Sequence, residues 1–119
     1  MTRSRQSAKA AGTRFERLIA DWLAEHVSEF IDRRAKTGSR DKGDLGGIRA
    51  HGREVVAELK DHARHDLAGW IAQADVERGN ADALAGLVIF KRRGTTDPGD
   101  QYVLMTVRDL ASLLTGERP

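Results

Sequence analysis

Residues 43–60 read GDLGGIRAHGREVVAELK, and the order of residue types in this stretch decides the fold. From Glu54 to Lys60 the chain alternates. Val55, Ala57 and Leu59 fall on one side and Val56, Glu58 and Lys60 on the other, which is the two-residue period of a strand. His51-Gly52 marks a tight turn. Asp44 to Arg49 reads as a second strand, loosened by Gly46 and Gly47. The two strands are therefore expected to form an antiparallel hairpin about His51-Gly52. Residues two apart on a strand project together, so Glu58 and Lys60 share a face while Leu59 points into the core. The hairpin sets Asp44 roughly opposite the Glu58–Lys60 end. Two carboxylates and one ammonium then converge on one spot.

Working outward, residues 1–12 read as a flexible basic arm ahead of a single domain over residues 13–119. A helix is expected from Thr13, where Thr13 and Glu16 have the spacing of a capping box, to near Glu29. Phe15, Leu18, Ile19, Trp22, Leu23 and Val27 recur on it at helical spacing. Phe30 to Lys36 reads as a short strand and residues 37–43 as a polar loop. Beyond the hairpin, Asp66 to Arg78 reads as a helix with Leu67, Trp70, Ile71 and Ala74 on one side and Gly79 as its C′ residue. Leu87 to Arg92 and Gln101 to Met105 read as strands about the turn Asp97-Pro98-Gly99-Asp100. Thr106 caps a last helix with Asp109 at N3 and Leu110, Leu113 and Leu114 packed inward. The order α-β-β-β-α-β-β-α gives an α/β domain, a central mixed sheet flanked by helices.

Composition bounds the function. At 119 residues the chain is one domain's worth. No apolar run approaches the roughly 20 residues needed to span a bilayer, and no apolar segment follows the basic N-terminus as in a secretory signal. With no cysteine there is neither a disulfide framework nor a thiolate metal site, which fits a cytoplasmic location. His51, His62 and His65 do not form a ligand-spaced helical pair, which argues against zinc. Fifteen of the twenty basic residues are arginine, whose planar fork matches phosphate oxygens. They cluster in three places. Arg3, Arg5, Lys9, Arg14 and Arg17 form the first, Arg33, Arg34, Lys36, Arg40 and Lys42 the second, and Lys91-Arg92-Arg93 the third. Any one cluster reads equally well as solvated surface; three together favour nucleic acid.

The trio suits metal-assisted phosphodiester hydrolysis. Mg²⁺ takes one or two carboxylates, keeps several waters and accepts phosphate oxygens. Such an ion lowers the pKa of a bound water and neutralises charge building on phosphorus. The Leu59 backbone carbonyl is a candidate third ligand beside Asp44 and Glu58, and Mn²⁺ is expected to substitute. A lysine beside the water positions it and stabilises developing charge. An acid-x-Lys triplet alone is common by chance. Here there is a single one, on the best strand in the sequence, and its bland alternative is a surface Glu–Lys pair.

The matching stretches Phe15-Glu16-Arg17, residues 36–45 (KTGSRDKGDL) and residues 55–60 (VVAELK) resemble the PD-(D/E)XK nuclease superfamily. Within it the chain most resembles Hjc-type Holliday junction resolvases and their small bacteriophage relatives, a likeness that extends over Trp70 to Ala81. The resemblance implies a restriction-endonuclease-like core, with Asp44 and Glu58 as metal ligands and Lys60 as catalytic lysine. By the same resemblance Glu16 lies near the metal, although the capping box with Thr13 explains it without catalysis. Gln73 matches a polar residue that helps hold the active-site lysine or DNA. The family's proline before the first acid is absent, and Gly43 stands there. Arg14, Arg33, Arg34, Lys36, Ser39, Arg40 and Lys42 are the expected DNA contacts, with Ser39 and Arg40 in the loop where a phosphate would approach. Expected partners are four-way junctions or other branched DNA and a second copy of the chain. Resolution needs two symmetric cuts, and a chain with one site supplies them as a C2 homodimer. Two other readings stay open: a restriction, repair or end-processing nuclease on the same core, and a non-catalytic DNA-binding accessory.

Overall fold

The structure of the chain is a computed structural model that describes residues 3–35 and 40–119. Helix α1 (Arg5–His26) is followed by strands β1 (Asp32–Arg33), β2 (Leu45–Gly46), β3 (Arg49–Ala50) and β4 (Arg53–Lys60). Helix α2 (Leu67–Ala81), strand β5 (Ala85–Phe90), a short 3₁₀ turn (Pro98–Asp100), strand β6 (Tyr102–Leu104) and helix α3 (Val107–Thr115) complete it. The sheet runs β1-β2-β4-β5-β6, with β3 paired to the start of β4. The β4–β5 pair is parallel and the others are antiparallel. A parallel neighbour requires a crossover, and α2 supplies it. The result is an α/β fold with a mixed sheet flanked by helices.

Alternation in β4 divides the core. Ala57 and Leu59 join Leu45 and Ile89 under Phe15, Ile19 and Ala20 of α1. On the opposite face Trp70 and Ala74 of α2 cover Val88 and Phe90. Burying a side chain such as Phe15 or Ile19 contributes roughly 1.5–3 kcal/mol, so each helix is held by a few such contacts. Strand β5, covered on both faces, reads accordingly as an almost unbroken apolar run.

Several boundaries differ from the expectations. Helix α1 starts at Arg5, so the arm expected over residues 1–12 is helical for most of its length; Met1 and Thr2 lie outside the described residues. Good helix formers (Gln6, Ala8, Lys9, Ala10, Ala11) carry the helix back, and Ser4 caps it by accepting from the Ser7 N–H at 3.1 Å. Arg3 ties this end to Asp61, donating to its carbonyl at 2.9 Å. The Thr13–Glu16 capping box is therefore not formed; the Thr13 hydroxyl donates to the Lys9 carbonyl instead. Helix α1 also ends at His26 rather than Glu29, and Val27 and Leu18 are exposed. Strand β1 is limited to Asp32–Arg33, and Lys36 lies outside the described residues. Helix α2 passes through Gly79 to Ala81. Asp82 takes the left-handed conformation (φ 49°), and Ala83 N–H donates to the Arg78 carbonyl at 3.0 Å in a Schellman-type closure.

The α3 face is also reversed. Asp109 and Ser112 are buried while Leu110 and Leu114 are exposed. Asp109 explains it: its carboxylate accepts from Arg118 at 2.5 Å, from the Gly86 N–H at 3.4 Å and from the Thr106 hydroxyl at 2.9 Å. A hydrogen-bonded carboxylate, not a leucine stripe, docks this helix. The Thr106 cap is present, accepting from Asp109 N–H at 3.2 Å.

The hairpin forms as expected but carries an irregularity that positions the site. His51 (φ 54°) and Gly52 (φ 72°) both take the left-handed backbone that a two-residue hairpin loop needs. Around this turn Arg49 pairs with Glu54, whereas farther along Leu45 pairs with Ala57. Residues 45–49 thus face 54–57, one residue more on the first side, which is a β-bulge. Gly47 lies within it at φ +86°, and a Cβ there would come 2.2 Å from the Phe30 carbonyl oxygen, so glycine is required. The bulge splits the strand expected over Asp44–Arg49 into β2 and β3. It also shifts the partner of Asp44 from Leu59 to Glu58. Directly opposed residues share a face, so the extra residue turns Asp44 toward the polar side of β4.

Candidate active site

Strand β4 positions Glu58 and Lys60, and the bulged strand opposite positions Asp44. Gly43 (φ +96°) lets the chain run against β4, since a Cβ there would come 2.9 Å from Val56 Cγ1. The Asp44 N–H donates to the Ala57 carbonyl at 2.9 Å and its carbonyl accepts from Arg34 N–H at 2.8 Å. Its Oδ2 accepts from the Leu59 N–H at 2.8 Å. The carboxylate is thus fixed at the backbone between Glu58 and Lys60.

Helix α2 holds the other side. Lys60 Nζ donates to Gln73 Oε1 at 2.7 Å and lies 3.5 Å from Glu58 Oε1. Gln73 Nε2 donates to Glu58 Oε1 at 3.0 Å and to Glu77 Oε2 at 3.3 Å. Glu58 and Glu77 are 4% and 1% exposed. Each keeps one carboxylate oxygen, Glu58 Oε2 and Glu77 Oε1, buried and without a hydrogen-bond partner. Burial first, then contact with Glu77 and the charge of Asp44, push the Glu58 carboxyl up to about 9, against a smaller opposing pull from Lys60. Burial likewise raises Glu77 to about 7, against an opposing hydrogen bond with Glu58 and with help from Asp41 and Asp44. The two titrate as a pair, and near neutral pH the pair retains a proton.

Asp44, Glu58, Leu59 and Lys60 line a cleft of about 700 Å³, together with Glu16, Arg33 and Arg34. Glu16 Oε1 accepts from Arg33 Nε at 3.1 Å, so an ion pair in the cleft, not a helix cap, accounts for it. Arg34 pairs with Glu54. A second cleft of about 660 Å³, lined by Arg3, Lys91, Arg92 and Arg93, shares Asp61 and His62 with the first. The second cleft is the more basic of the two, since the first carries Glu16, Asp32, Asp44, Glu58 and Asp61 among its arginines and lysines. Of the other expected DNA contacts, Arg14, Arg40 and Lys42 are exposed but do not line the cleft. Lys36 and Ser39 lie outside the described residues.

Asp44, Glu58, Lys60, Glu16 and Gln73, all expected at the site from the sequence, meet here, and Glu77 and Asn80, to which the sequence assigned no role, join them. Asp41, Glu58 and Glu77 each offer an oxygen within 4.8 Å of the others. Asn80 Nδ2 donates to the Asp41 carbonyl at 2.8 Å, tying the loop to α2. The signal for Glu77 was its i+4 spacing from Gln73, which places both on one helix face. Chemically, the cleft offers hard oxygen donors beside an ammonium, with guanidinium groups along its wall. No helix among the described residues is long and apolar enough to cross a membrane. Comparison of the chain with protein-family models, with curated proteins and with solved structures gave no match.

Proposed function

We propose that the chain is a metal-dependent, structure-selective DNA endonuclease with a restriction-endonuclease-like core, acting on branched DNA as a Holliday junction resolvase. One observation carries the reading: Glu58 and Lys60 of one strand and Asp44 of its neighbour meet in a single arginine-lined cleft. The order α1, β1, β2, β4, α2, β5 agrees with such a core.

Asp44, Glu58 and the Leu59 carbonyl are assigned as ligands of Mg²⁺, with Mn²⁺ able to replace it. The fit lies in the donor set, which is all hard oxygen. When bound, the ion supplies an acidified water and neutralises charge on the phosphate. Lys60, oriented by Gln73, places its ammonium where charge develops on the attacked phosphate. Arg33 and Arg34 hold the flanking backbone, and Glu16 steers Arg33 through their ion pair. None of these groups reads base edges, so shape rather than sequence sets the choice of substrate. Paired cuts across a four-way junction call for a C2 homodimer.

A panel of labelled linear, flap, fork and four-way substrates tests the reading in Mg²⁺. Four-way junctions are expected to be cut in preference to the others. Preference for linear duplex removes the resolvase assignment and leaves a nuclease of restriction, repair or end-processing type. Junctions bound yet never cut, in Mg²⁺ or Mn²⁺, point to the non-catalytic accessory.

A further inference from the structure

We propose that Asp41, Glu58 and Glu77 form a second divalent-cation site where the loop before β2 and helix α2 meet over β4, with Glu58 shared between it and the site assigned to Asp44. It rests on the preceding reading only in that shared ligand. The three residues come from separate elements. Asp41 lies in the loop before β2, Glu58 on β4 and Glu77 on α2.

Their ligand oxygens lie within 4.8 Å of one another. Oxygens bound to one Mg²⁺ or Ca²⁺ sit about 2.0–2.6 Å from the ion, hence at most about 4–5 Å apart. The spacing is that of a single coordination shell.

The second observation is the pair of orphaned oxygens, Glu58 Oε2 and Glu77 Oε1. Gln73 cannot satisfy them. An amide nitrogen carries two hydrogens, and these go to Glu58 Oε1 and Glu77 Oε2, while the amide oxygen is taken by Lys60. The proton that the pair retains satisfies at most one of these oxygens; a carboxylate oxygen buried without a donor is costly, and a cation bound in place of that proton partners both. All the donors are carboxylate oxygens, so the class of ion is Mg²⁺, Mn²⁺ or Ca²⁺ rather than a softer metal. Asn80, by holding the Asp41 carbonyl, fixes the third ligand over the other two.

Calorimetric titration of the full chain with MnCl₂ tests the site without recourse to activity. Wild type is expected to take up two ions. Glu77→Gln, and separately Asp41→Asn at the loop, each lose one and keep the other; Asp44→Asn loses the complementary ion. The loop variant removes no core contact, so it decides the matter should Glu77→Gln unfold. Uptake of one ion, untouched by Glu77→Gln and Asp41→Asn but lost in Asp44→Asn, overturns this inference and leaves the proposed nuclease site standing. One ion lost in Glu77→Gln and untouched by Asp44→Asn instead supports the present site and overturns the ligand set proposed for the cleft. No uptake overturns both.

Discussion

At the scale of single residues, two carboxyl groups are kept out of water. Glu58 and Glu77 ionise near 4.5 when exposed, but in the fold burial raises them to about 9 and about 7. Between those limits the native chain binds more protons than the unfolded chain, so stability falls as pH rises. In EDTA, the melting temperature is therefore expected to drop between about pH 5 and pH 9, and Glu77→Gln to flatten that drop. Thermal melts over the range check it; equal slopes for the two proteins would show that the buried pair does not hold the extra proton. Part of this was legible. Glu58 and Lys60 declare themselves because alternation in a strand leaves no doubt which side chains share a face. Glu77 does not, since an acid four residues from a glutamine on a helix has the spacing of any exposed helical pair. Its burial depends on β4 lying beneath it.

At the scale of elements, the bulge between β2 and β3 decides where Asp44 points. Gly46-Gly47 read as loosening of a strand; the register shift behind it was not readable, because it depends on the Phe30 carbonyl lying against Gly47. Gly47→Ala places a Cβ in a left-handed backbone and against that carbonyl. It is expected to cost more than about 1 kcal/mol in urea denaturation, and to reduce cutting beyond what the loss of folded protein explains, because Asp44 moves with the bulge. Unchanged stability would show that the bulge is not required. The helices teach the same lesson differently. Thr13 and Gly79 carried valid local signals, a cap and a stop, and Ser4 and Asp82 took those roles. Propensity on either side of a signal, and the docking of the whole helix, decided the boundary. Asp109 was read as N3 of the Thr106 cap, which forms, but its burial was not, because a buried carboxylate is recognisable only once Arg118, Thr106 and the Gly86 N–H surround it.

At the scale of the molecule, the second cleft borders the first at Asp61 and His62 and carries Arg92 and Arg93. If DNA follows it, Arg92→Ala and Arg93→Ala each weaken junction binding and lower the slope of log K against log salt by about 1. Binding isotherms at several salt concentrations give that slope, and an unaltered slope would confine DNA to the Asp44 side. The overall α/β arrangement was legible because turn signals bound the apolar stretches of β4 and β5; that β4 is buried on both faces from Val55 to Leu59, Glu58 included, was not readable from its alternation, because it depends on α1 and α2 covering the two faces. The central claim is that Asp44, Glu58 and Lys60 cut DNA with a metal ion. A labelled immobile four-way junction, incubated with wild type and with Glu58→Gln, tests it most directly. Wild type should make symmetric cuts in Mg²⁺ and none in EDTA, while Glu58→Gln, folded and still binding the junction, should be slower by at least about a hundredfold. Equal rates for the two proteins, or cutting indifferent to EDTA, would contradict the account.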